Sequence, residues 1–160
     1  MHVQDLVHED FINYRKPSML IGTAYCSGKC GEACQNKELW KHEPIEVNDT
    51  FIIKHYLSNP ITKAIVFGGL EPFDQWTEIK DFIWKLRTNY KCNDDVVIYT
   101  GYDLTELKDE LGYIKMFFTN ITVKFGRYIP DSKQKYDQNL GVVLASDNQY
   151  SIVINRVNDK

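Results

Sequence analysis

Apolar positions recur along the chain with two periods, and these periods predict strands that alternate with helices. Short runs rich in β-branched residues predict strands at 18–24, 63–67, 95–100, 119–124, 140–145 and 150–155. Ile79, Phe82 and Leu86 follow helical spacing within a helix predicted from Phe73 to Tyr90. This order of elements is typical of βαβ units around a parallel sheet, so the sequence predicts an α/β fold.

Two further helices are predicted from the polar residues at their first turns. Asn48 can cap a helix that ends before Pro60, because an Asn side chain accepts a hydrogen bond from a free backbone N–H. Asp103 and Glu106 have the spacing of a capping box, which predicts a helix running toward Gly112.

Candidate ligand-binding residues follow the predicted strands at the points where the strands end. Cys26, Gly68-Gly69, Thr100 and Ser146 occupy such positions. In parallel α/β folds, ligands bind beyond the carboxyl ends of the strands. We therefore expect these residues to lie on one rim of the sheet.

Length and composition narrow the class of protein. The 160 residues suit one domain, and a hydrophobic fraction of 43% with a charged fraction of 26% is typical of a soluble globular chain. A net charge of -3 without a basic run argues against nucleic-acid binding. The chain has no apolar stretch near the ~20 residues of a membrane span, and its first residues lack the pattern of a signal peptide. These features predict a cytoplasmic protein.

The cysteines are grouped in a way that indicates a metal centre. Three of the four fall between positions 26 and 34 with the spacing C-x3-C-x3-C, while Cys92 stands alone. A secreted disulfide scaffold would distribute its cysteines to connect distant segments. Gly28 and Gly31 interrupt the segment, and each disfavours a helix by roughly 1 kcal/mol relative to alanine. The segment is therefore predicted to be a loop that wraps its thiolates around an inorganic core.

Three interpretations of this triplet remain open on spacing alone. Structural zinc takes four protein ligands, so it would need His42, Cys92 or another residue as the fourth. A group of structural or redox thiols needs no metal. Bound to a [4Fe–4S] cluster, Cys26, Cys30 and Cys34 would leave the fourth iron open to a small molecule, whereas a ferredoxin-like carrier takes four cysteines per cluster.

The segment GGLEP at 68–72 has two interpretations. Gly68 and Gly69 allow a ligand to approach the backbone, and Glu71 supplies an acceptor for a ligand ammonium. Alternatively, Glu71 and Pro72 are simply favourable residues for the first turn of a helix. A cysteine triplet one strand earlier favours the ligand-binding interpretation.

Segments in order along the chain resemble the anaerobic ribonucleotide reductase activating enzymes of the radical S-adenosylmethionine (SAM) superfamily. The cysteine segment with Gln35-Asn36-Lys37 and Trp40 resembles their cluster loop, although it has one more residue in the second gap and Ala33 in place of an aromatic residue. GGLEP resembles the glycine-glycine-acid motif that binds SAM. Residues 96–107 and 146–149 are similar to the family's threonine-glycine-tyrosine and serine-x-asparagine-glutamine segments.

The resemblance implies a fold, an activity and a set of site residues. It implies one radical SAM domain over residues 1–160, built as a partial (β/α) barrel of mostly parallel strands with the cluster loop at 26–34. It implies a [4Fe–4S] cluster on Cys26, Cys30 and Cys34, and SAM bound by Gly68, Gly69, Glu71, Thr100 and Ser146.

The activity implied is reductive cleavage of SAM to a 5′-deoxyadenosyl radical. That radical would abstract hydrogen from a glycine of the large glycyl radical subunit of anaerobic ribonucleotide reductase. A flavodoxin- or ferredoxin-like protein would supply the electron. The partner would therefore be another protein, with neither nucleic acid nor membrane involved.

Alternatives to this activity remain open. The chain could activate another glycyl radical enzyme, modify a peptide, or serve as a zinc-stabilised interaction domain without catalysis. Tyr102 and the polar segment 126–139 are candidate docking elements, although half-buried packing is the simpler interpretation of Tyr102. Cys92 is interpreted as a free thiol without function.

Overall fold

The computed structural model describes residues 1–155, which form an α/β fold around a seven-stranded mixed sheet. The strands are β1 (His2–Asp10), β2 (Ser18–Thr23), β3 (Ile45–Glu46), β4 (Ala64–Gly69), β5 (Asp95–Tyr99), β6 (Ile121–Phe125), β7 (Lys135–Asp137), β8 (Val142–Leu144) and β9 (Tyr150–Ile154). The helices are α1 (Asp49–Ser58), α2 (Trp76–Thr88) and α3 (Lys108–Phe117). Short 3-10 helices cover Gly31–Ala33, Lys37–Lys41, Pro72–Gln75 and Leu104–Glu106.

The sheet has a parallel centre and antiparallel edges. Its strand order is β3-β1-β2-β4-β5-β6-β9. The central strands β2, β4, β5 and β6 run parallel, while β1 and β3 on one side and β9 on the other pair antiparallel to their neighbours. β7 and β8 form a separate antiparallel ribbon.

The predicted partial barrel of mostly parallel strands is wrong, although the prediction of an α/β fold is confirmed. The segment 2–10 carries many polar residues and was not predicted as a strand, yet it runs antiparallel to β2 as β1. At the other side, β9 turns back against β6. An antiparallel strand on each side interrupts the series of parallel crossovers that would curl the sheet toward a barrel, so the sheet is open.

Apolar side chains cover the two faces of the sheet differently. On one face, α1, α2 and α3 contribute to a core that includes Ile53, Phe82 and Val123. On the other face, Tyr14 and Leu140 from irregular segments pack with buried strand residues such as Val66 and Val97. The second face is therefore covered by loops and the β7–β8 ribbon, which leave space above the carboxyl ends of the central strands.

Local signals at the helix ends agree with the sequence-based expectations. The Asn48 side chain accepts a hydrogen bond from the Thr50 N–H and caps α1. Asp103 and Glu106 form the predicted capping box, although it starts a 3-10 turn before α3, which continues past Gly112 to Phe117. Within residues 1–155, no helix is both long and apolar enough to cross a membrane.

Candidate functional site

A cavity of 470 Å³ lies beyond the carboxyl ends of the parallel strands, and we call it the strand-end cavity. Its lining includes Gly68 and Gly69 at the end of β4, Tyr99 and Thr100 at the end of β5, and Lys124 in β6. The remaining wall comes from the cluster loop, from Ile12 and Asn13, and from the β8 segment 142–145. Cys26, Cys30 and Cys34 all line this cavity, as their position after the first parallel strand predicts.

Backbone and side-chain hydrogen bonds hold the cluster loop against the strand ends. The Glu71 N–H donates to the Tyr25 carbonyl oxygen at 2.9 Å, which joins the start of the loop to the turn after β4. On the far side of the loop, the Asn36 amide donates to the Gly69 carbonyl oxygen. The loop is therefore fixed on both sides of its three cysteines.

Asp74 and Tyr102 anchor the first half of the loop. The Asp74 carboxylate accepts hydrogen bonds from the Ser27 N–H and from the Tyr102 hydroxyl. Ser27 Oγ also lies 3.1 Å from the Tyr102 hydroxyl oxygen. Tyr102, which the sequence suggested as a docking element, is only 7% exposed, and its hydroxyl helps to hold the cluster loop.

Two glycines allow the cysteine segment its path. Gly28 has φ +74°, and a Cβ there would lie 3.0 Å from the Trp40 ring, so the loop turns under that indole. At the end of β5, a Cβ on Gly101 would lie 3.4 Å from Cys30 Sγ and 3.6 Å from Glu71 Oε2. A larger residue at position 28 would press on the Trp40 ring, and one at position 101 would crowd the Cys30 thiol and the Glu71 carboxylate.

Burial shapes the electrostatics of the thiols. It raises the pKa of Cys26, and the nearby carboxylates of Asp74 and Glu71 raise it further, while a hydrogen bond from the Gly28 N–H opposes the rise. Burial also raises the pKa of Cys30, followed by repulsion from the Cys34 and Cys26 thiols. Deprotonating these thiols therefore calls for a compensating positive charge, which iron ions supply when they bind thiolates.

Glu71 joins the turn after β4 to the turn after β5. Its Oε1 accepts hydrogen bonds from the Phe73 N–H at 3.1 Å and the Thr100 hydroxyl at 2.7 Å. Its Oε2 accepts one from the Gly101 N–H at 2.9 Å. Burial raises the pKa of Glu71, and these three donors oppose the rise. Since a carboxylate accepts about four hydrogen bonds, one acceptor site on Oε2 remains for a ligand.

The cysteine loop and the strand ends both lie within the part of the chain that matches a known protein family. A family model described as a 4Fe-4S single cluster domain matches residues 18–150, which is most of the chain. The chain belongs to this family. Neither a curated protein nor a solved structure matches it. The family assignment supports an iron–sulfur cluster as the cofactor and favours it over the zinc interpretation.

In this 4Fe-4S single cluster domain, the cysteines differ in position along the parallel strands. Cys26, Cys30 and Cys34 follow the carboxyl end of β2, whereas Cys92 precedes the amino end of β5 and packs beside the helix-covered core. His42 is exposed. Among residues 1–155, no three His, Cys, Asp or Glu side chains, those of the cluster loop included, are arranged to hold a single metal ion. The cluster loop nevertheless brings three thiols to the lining of the cavity, whereas Cys92 lies at the other end of the strands.

Some of the other predicted site residues line the strand-end cavity of the 4Fe-4S single cluster domain, and Ser146 does not. Gly68, Gly69 and Thr100 line it, although the Thr100 hydroxyl is already bonded to Glu71 and to the Tyr102 N–H. Ser146 is fully buried and accepts a hydrogen bond from the Ile129 N–H at 3.4 Å. It is not among the residues that line the cavity, although its neighbour Ala145 is.

Replacing Glu71 with glutamine should destabilise the 4Fe-4S single cluster domain. The amide keeps the shape of the side chain but can no longer accept at both ends, so one buried donor among Phe73, Thr100 and Gly101 loses its partner. We expect urea denaturation to show an unfolding free energy lower by about 1 to 3 kcal/mol. Glu43→Gln, at an exposed position, is the matched control and should leave stability unchanged. Equal stability of Glu71→Gln and the wild type would contradict a joining role for the carboxylate.

Lys124, a buried cation of the 4Fe-4S single cluster domain, was not predicted from the sequence. Lys124 is next to last in β6, shares a strand face with Thr122 and is 7% exposed. A lysine inside the run NITVKF, near the carboxyl end of a predicted strand, was the available signal. Asp74 and Arg127 were also missed, since each lies in a segment without a distinctive pattern.

Proposed function

We propose that the chain is a radical SAM enzyme that binds a [4Fe–4S] cluster on Cys26, Cys30 and Cys34 and SAM in the strand-end cavity. The observation that carries the proposal is a loop with three thiols that opens onto a 470 Å³ cavity, with the fourth cysteine at the far end of the strands. Three thiolates leave one of four irons without a protein ligand, and that iron is available to a small molecule. The matched family is associated with radical SAM proteins.

The dimensions and chemistry of the strand-end cavity support a ligand of this kind. Its volume lies within the range of roughly 300 to 1,000 Å³ that is usual for small-molecule sites. Gly68 and Gly69 present backbone without side chains, and Gly69 has φ +93°, a conformation that favours glycine. Glu71 offers its remaining acceptor site to the ligand's ammonium, and Thr100 holds the Glu71 carboxylate in place.

Within this proposal, residues 1–160 act as one domain that generates a radical for another protein. Cys26, Cys30 and Cys34 would hold the cluster, which when bound and reduced would supply the one electron that breaks the sulfonium C–S bond of SAM to give methionine and a 5′-deoxyadenosyl radical. The radical takes a hydrogen atom from a glycine of the large subunit of anaerobic ribonucleotide reductase, which leaves 5′-deoxyadenosine and a glycyl radical. A flavodoxin- or ferredoxin-like protein reduces the cluster.

The choice of a protein substrate is supported by the rim of the cavity. Ile12 is 78% exposed and Val143 is 58% exposed, and both belong to its lining. The parts of the wall that come from β8 and from the segment after β1 are thus apolar and accessible, which suits a polypeptide segment entering from outside. The ordered resemblance to the ribonucleotide reductase activating enzymes selects the reductase subunit among possible proteins.

The proposal is tested by anaerobic reconstitution of the cluster, followed by reduction with dithionite in the presence of SAM. We expect 5′-deoxyadenosine in the product analysis, and none when the reductant is left out. With the large reductase subunit added, electron paramagnetic resonance should show a glycyl radical on that subunit. A loaded, reduced cluster that forms no 5′-deoxyadenosine would overturn the proposed chemistry, and 5′-deoxyadenosine without a glycyl radical would overturn the proposed partner.

A further inference from the structure

Trp40 packs against the cluster loop from outside the strand-end cavity. A Cβ on Gly28 would lie 3.0 Å from Cη2 and 3.6 Å from Cζ2 of the Trp40 ring, so the indole rests on that glycine. In the described part of the chain, the lining of the cavity includes the three loop cysteines but neither Gly28 nor Trp40. The cysteines therefore face the cavity, while the indole covers another side of the same loop.

The rest of the Trp40 ring is open to solvent. Trp40 is 46% exposed and belongs to the short 3-10 helix Lys37–Lys41. Contacts with the turn after β4 hold this helix in place, because the Asn36 amide donates to the Gly69 carbonyl oxygen and Leu39 Cδ1 would lie 3.6 Å from a Cβ on Gly69. The exposed ring is therefore a fixed feature of the surface beside the cluster loop.

A short series of contacts joins the Trp40 ring to a proposed cluster ligand. The indole lies against Gly28, and the Gly28 N–H donates a hydrogen bond to Cys26 Sγ with 3.3 Å between nitrogen and sulfur. Hydrogen bonds to the sulfur atoms of an iron–sulfur cluster are among the features that set its reduction potential. One van der Waals contact and one hydrogen bond therefore connect the solvent-exposed indole with the Cys26 thiol.

The proposed chemistry needs an electron that the chain itself does not supply. Each cleavage of SAM consumes one electron, and Cys92 is the only cysteine outside the cluster loop, so the cysteines do not provide a second iron–sulfur centre. In the proposed function, SAM and the glycine-bearing segment of the partner occupy the strand-end cavity and its mouth. An electron donor must therefore approach the cluster from another side of the loop, and Trp40 lies on such a side.

The charges near Trp40 indicate what kind of contact a donor would make there. The two lysines nearest to it in sequence are paired, Lys37 with Glu32 at 2.7 Å and Lys41 with Glu38 at 2.6 Å. Because these charges cancel, the surface provides little electrostatic steering for a strongly charged partner. Electron-transfer complexes have small interfaces, and tryptophan is enriched among the residues that carry most of the binding energy of an interface. An aromatic contact at the indole is therefore the interaction that this surface offers.

We propose that Trp40 is the contact through which a one-electron donor protein reduces the cluster. The partner is a redox protein whose flavin or iron–sulfur cofactor reaches its own surface, and it places the edge of that cofactor against the indole. The donor cofactor is oxidised by one electron, the bound cluster is reduced by the same electron, and Trp40 is unchanged. The inference rests on the proposed function and adds the side of the molecule on which its electron enters.

The test compares reduction by a protein with reduction by a small molecule. Stopped-flow absorbance would follow the bleaching of the oxidised cluster after the loaded chain is mixed with flavodoxin hydroquinone, with reduced plant-type ferredoxin or with dithionite, in separate arms. In Trp40→Leu, we expect the second-order rate constant with the more reactive donor protein to fall by about tenfold or more, because truncating a central aromatic contact commonly weakens binding by that factor. Dithionite needs no docking contact and should reduce Trp40→Leu as fast as the wild type.

The controls separate docking from effects on the cluster loop. Trp84→Leu makes the same change at a tryptophan that is 43% exposed on α2, and it should keep the wild-type rate with every reductant. Trp40→Phe retains an aromatic ring beside Gly28 and should recover most of the rate with the donor protein. Iron and sulfide content should match in all four proteins. In the loaded wild type, hydroxyl-radical footprinting with the oxidised donor protein added should show Trp40 protected and Trp84 unchanged, a result that does not depend on any variant.

The outcomes distinguish this inference from the proposed function. Equal rates for the wild type and Trp40→Leu with the donor protein, an equal slowing with dithionite, or a Trp40 ring that stays unprotected in footprinting would overturn the role of Trp40. A wild type that neither donor protein reduces would overturn it as well. Formation of 5′-deoxyadenosine with dithionite and SAM is measured in the same samples, and its absence from the loaded, reduced wild type would overturn the proposed function instead.

Discussion

Replacing Cys30 with alanine should abolish the iron–sulfur cluster while leaving the fold in place. Cys30 is the middle ligand of the proposed set, and its Sγ lies close to Gly101 at the end of β5. With two thiols left in the loop, half of the cluster's irons would lack a protein ligand. We expect the iron and sulfide content after reconstitution to fall by more than about tenfold. Removing a residue that only supports a metal ligand can already weaken metal binding by that factor, and Cys30 is itself a proposed ligand. The visible absorption of the cluster should disappear with them.

The same substitution elsewhere in the chain provides the control for Cys30→Ala. Cys92 is half-buried like Cys30 but packs at the amino end of β5, away from the strand-end cavity. Cys92→Ala should therefore load iron and sulfide as the wild type does. Far-ultraviolet circular dichroism should be equal for both variants, because neither position belongs to the fully buried core. Retention of a full cluster by Cys30→Ala, or its loss from Cys92→Ala, would contradict the proposed ligand set.

The local parts of the structure were predictable because they depend on short-range chemistry. Glycines at 28 and 31 exclude a regular helix, and the structure accordingly shows a loop with a single 3-10 turn at Gly31–Ala33. The caps at Asn48 and Asp103 were predictable for the same reason, since each uses side chains within three residues. Such signals are independent of how the sheet is assembled.

The order and direction of the strands depend on contacts that are distant in sequence. β1 begins at His2 and alternates polar and apolar residues weakly, so its pairing with β2 is decided by the available sheet edge. Residues 150–154 have the composition of any strand, and nothing in that composition indicates that they pair antiparallel with β6. Composition does not determine the order and direction of these strands, and the barrel prediction was wrong for that reason.

The site was predictable where strand ends meet and unpredictable where a turn brings residues together. Gly68, Gly69 and Thr100 reach the strand-end cavity because parallel strands align their carboxyl ends. The support of the loop by Asp74 and Tyr102 joins residues 28 positions apart, and no spacing rule indicates it. Lys124 needed the register of β5 and β6 before its burial could be recognised.

Replacing Lys124 with methionine should make the cluster-free chain more stable at neutral pH. Burial lowers the pKa of Lys124 from the ordinary 10.5 to about 8, and attraction to Glu71 and the Cys30 thiol opposes part of the shift. Below pH 8 the folded chain therefore holds a protonated amine that is more favourable in the unfolded chain. Methionine has a similar length without the charge. We expect an unfolding free energy higher by on the order of 3 kcal/mol at pH 7.

The pH dependence of this gain follows from the sign of the shift. Between pH 8 and 10.5 the unfolded chain binds more protons at Lys124 than the folded chain does, so the stability of the wild type rises with pH there. The difference in stability between variant and wild type should shrink across that interval, because only the wild type carries the Lys124 amine. The Glu71, Cys30 and Tyr99 groups are common to both chains. Urea denaturation at pH 7, 8.5 and 10 measures it, with Lys115→Met as the control that should show no gain. A Lys124→Met chain that is less stable than the wild type at pH 7, or a gain that persists at pH 10, would contradict a buried charge at this position and favour a packing role for the lysine chain.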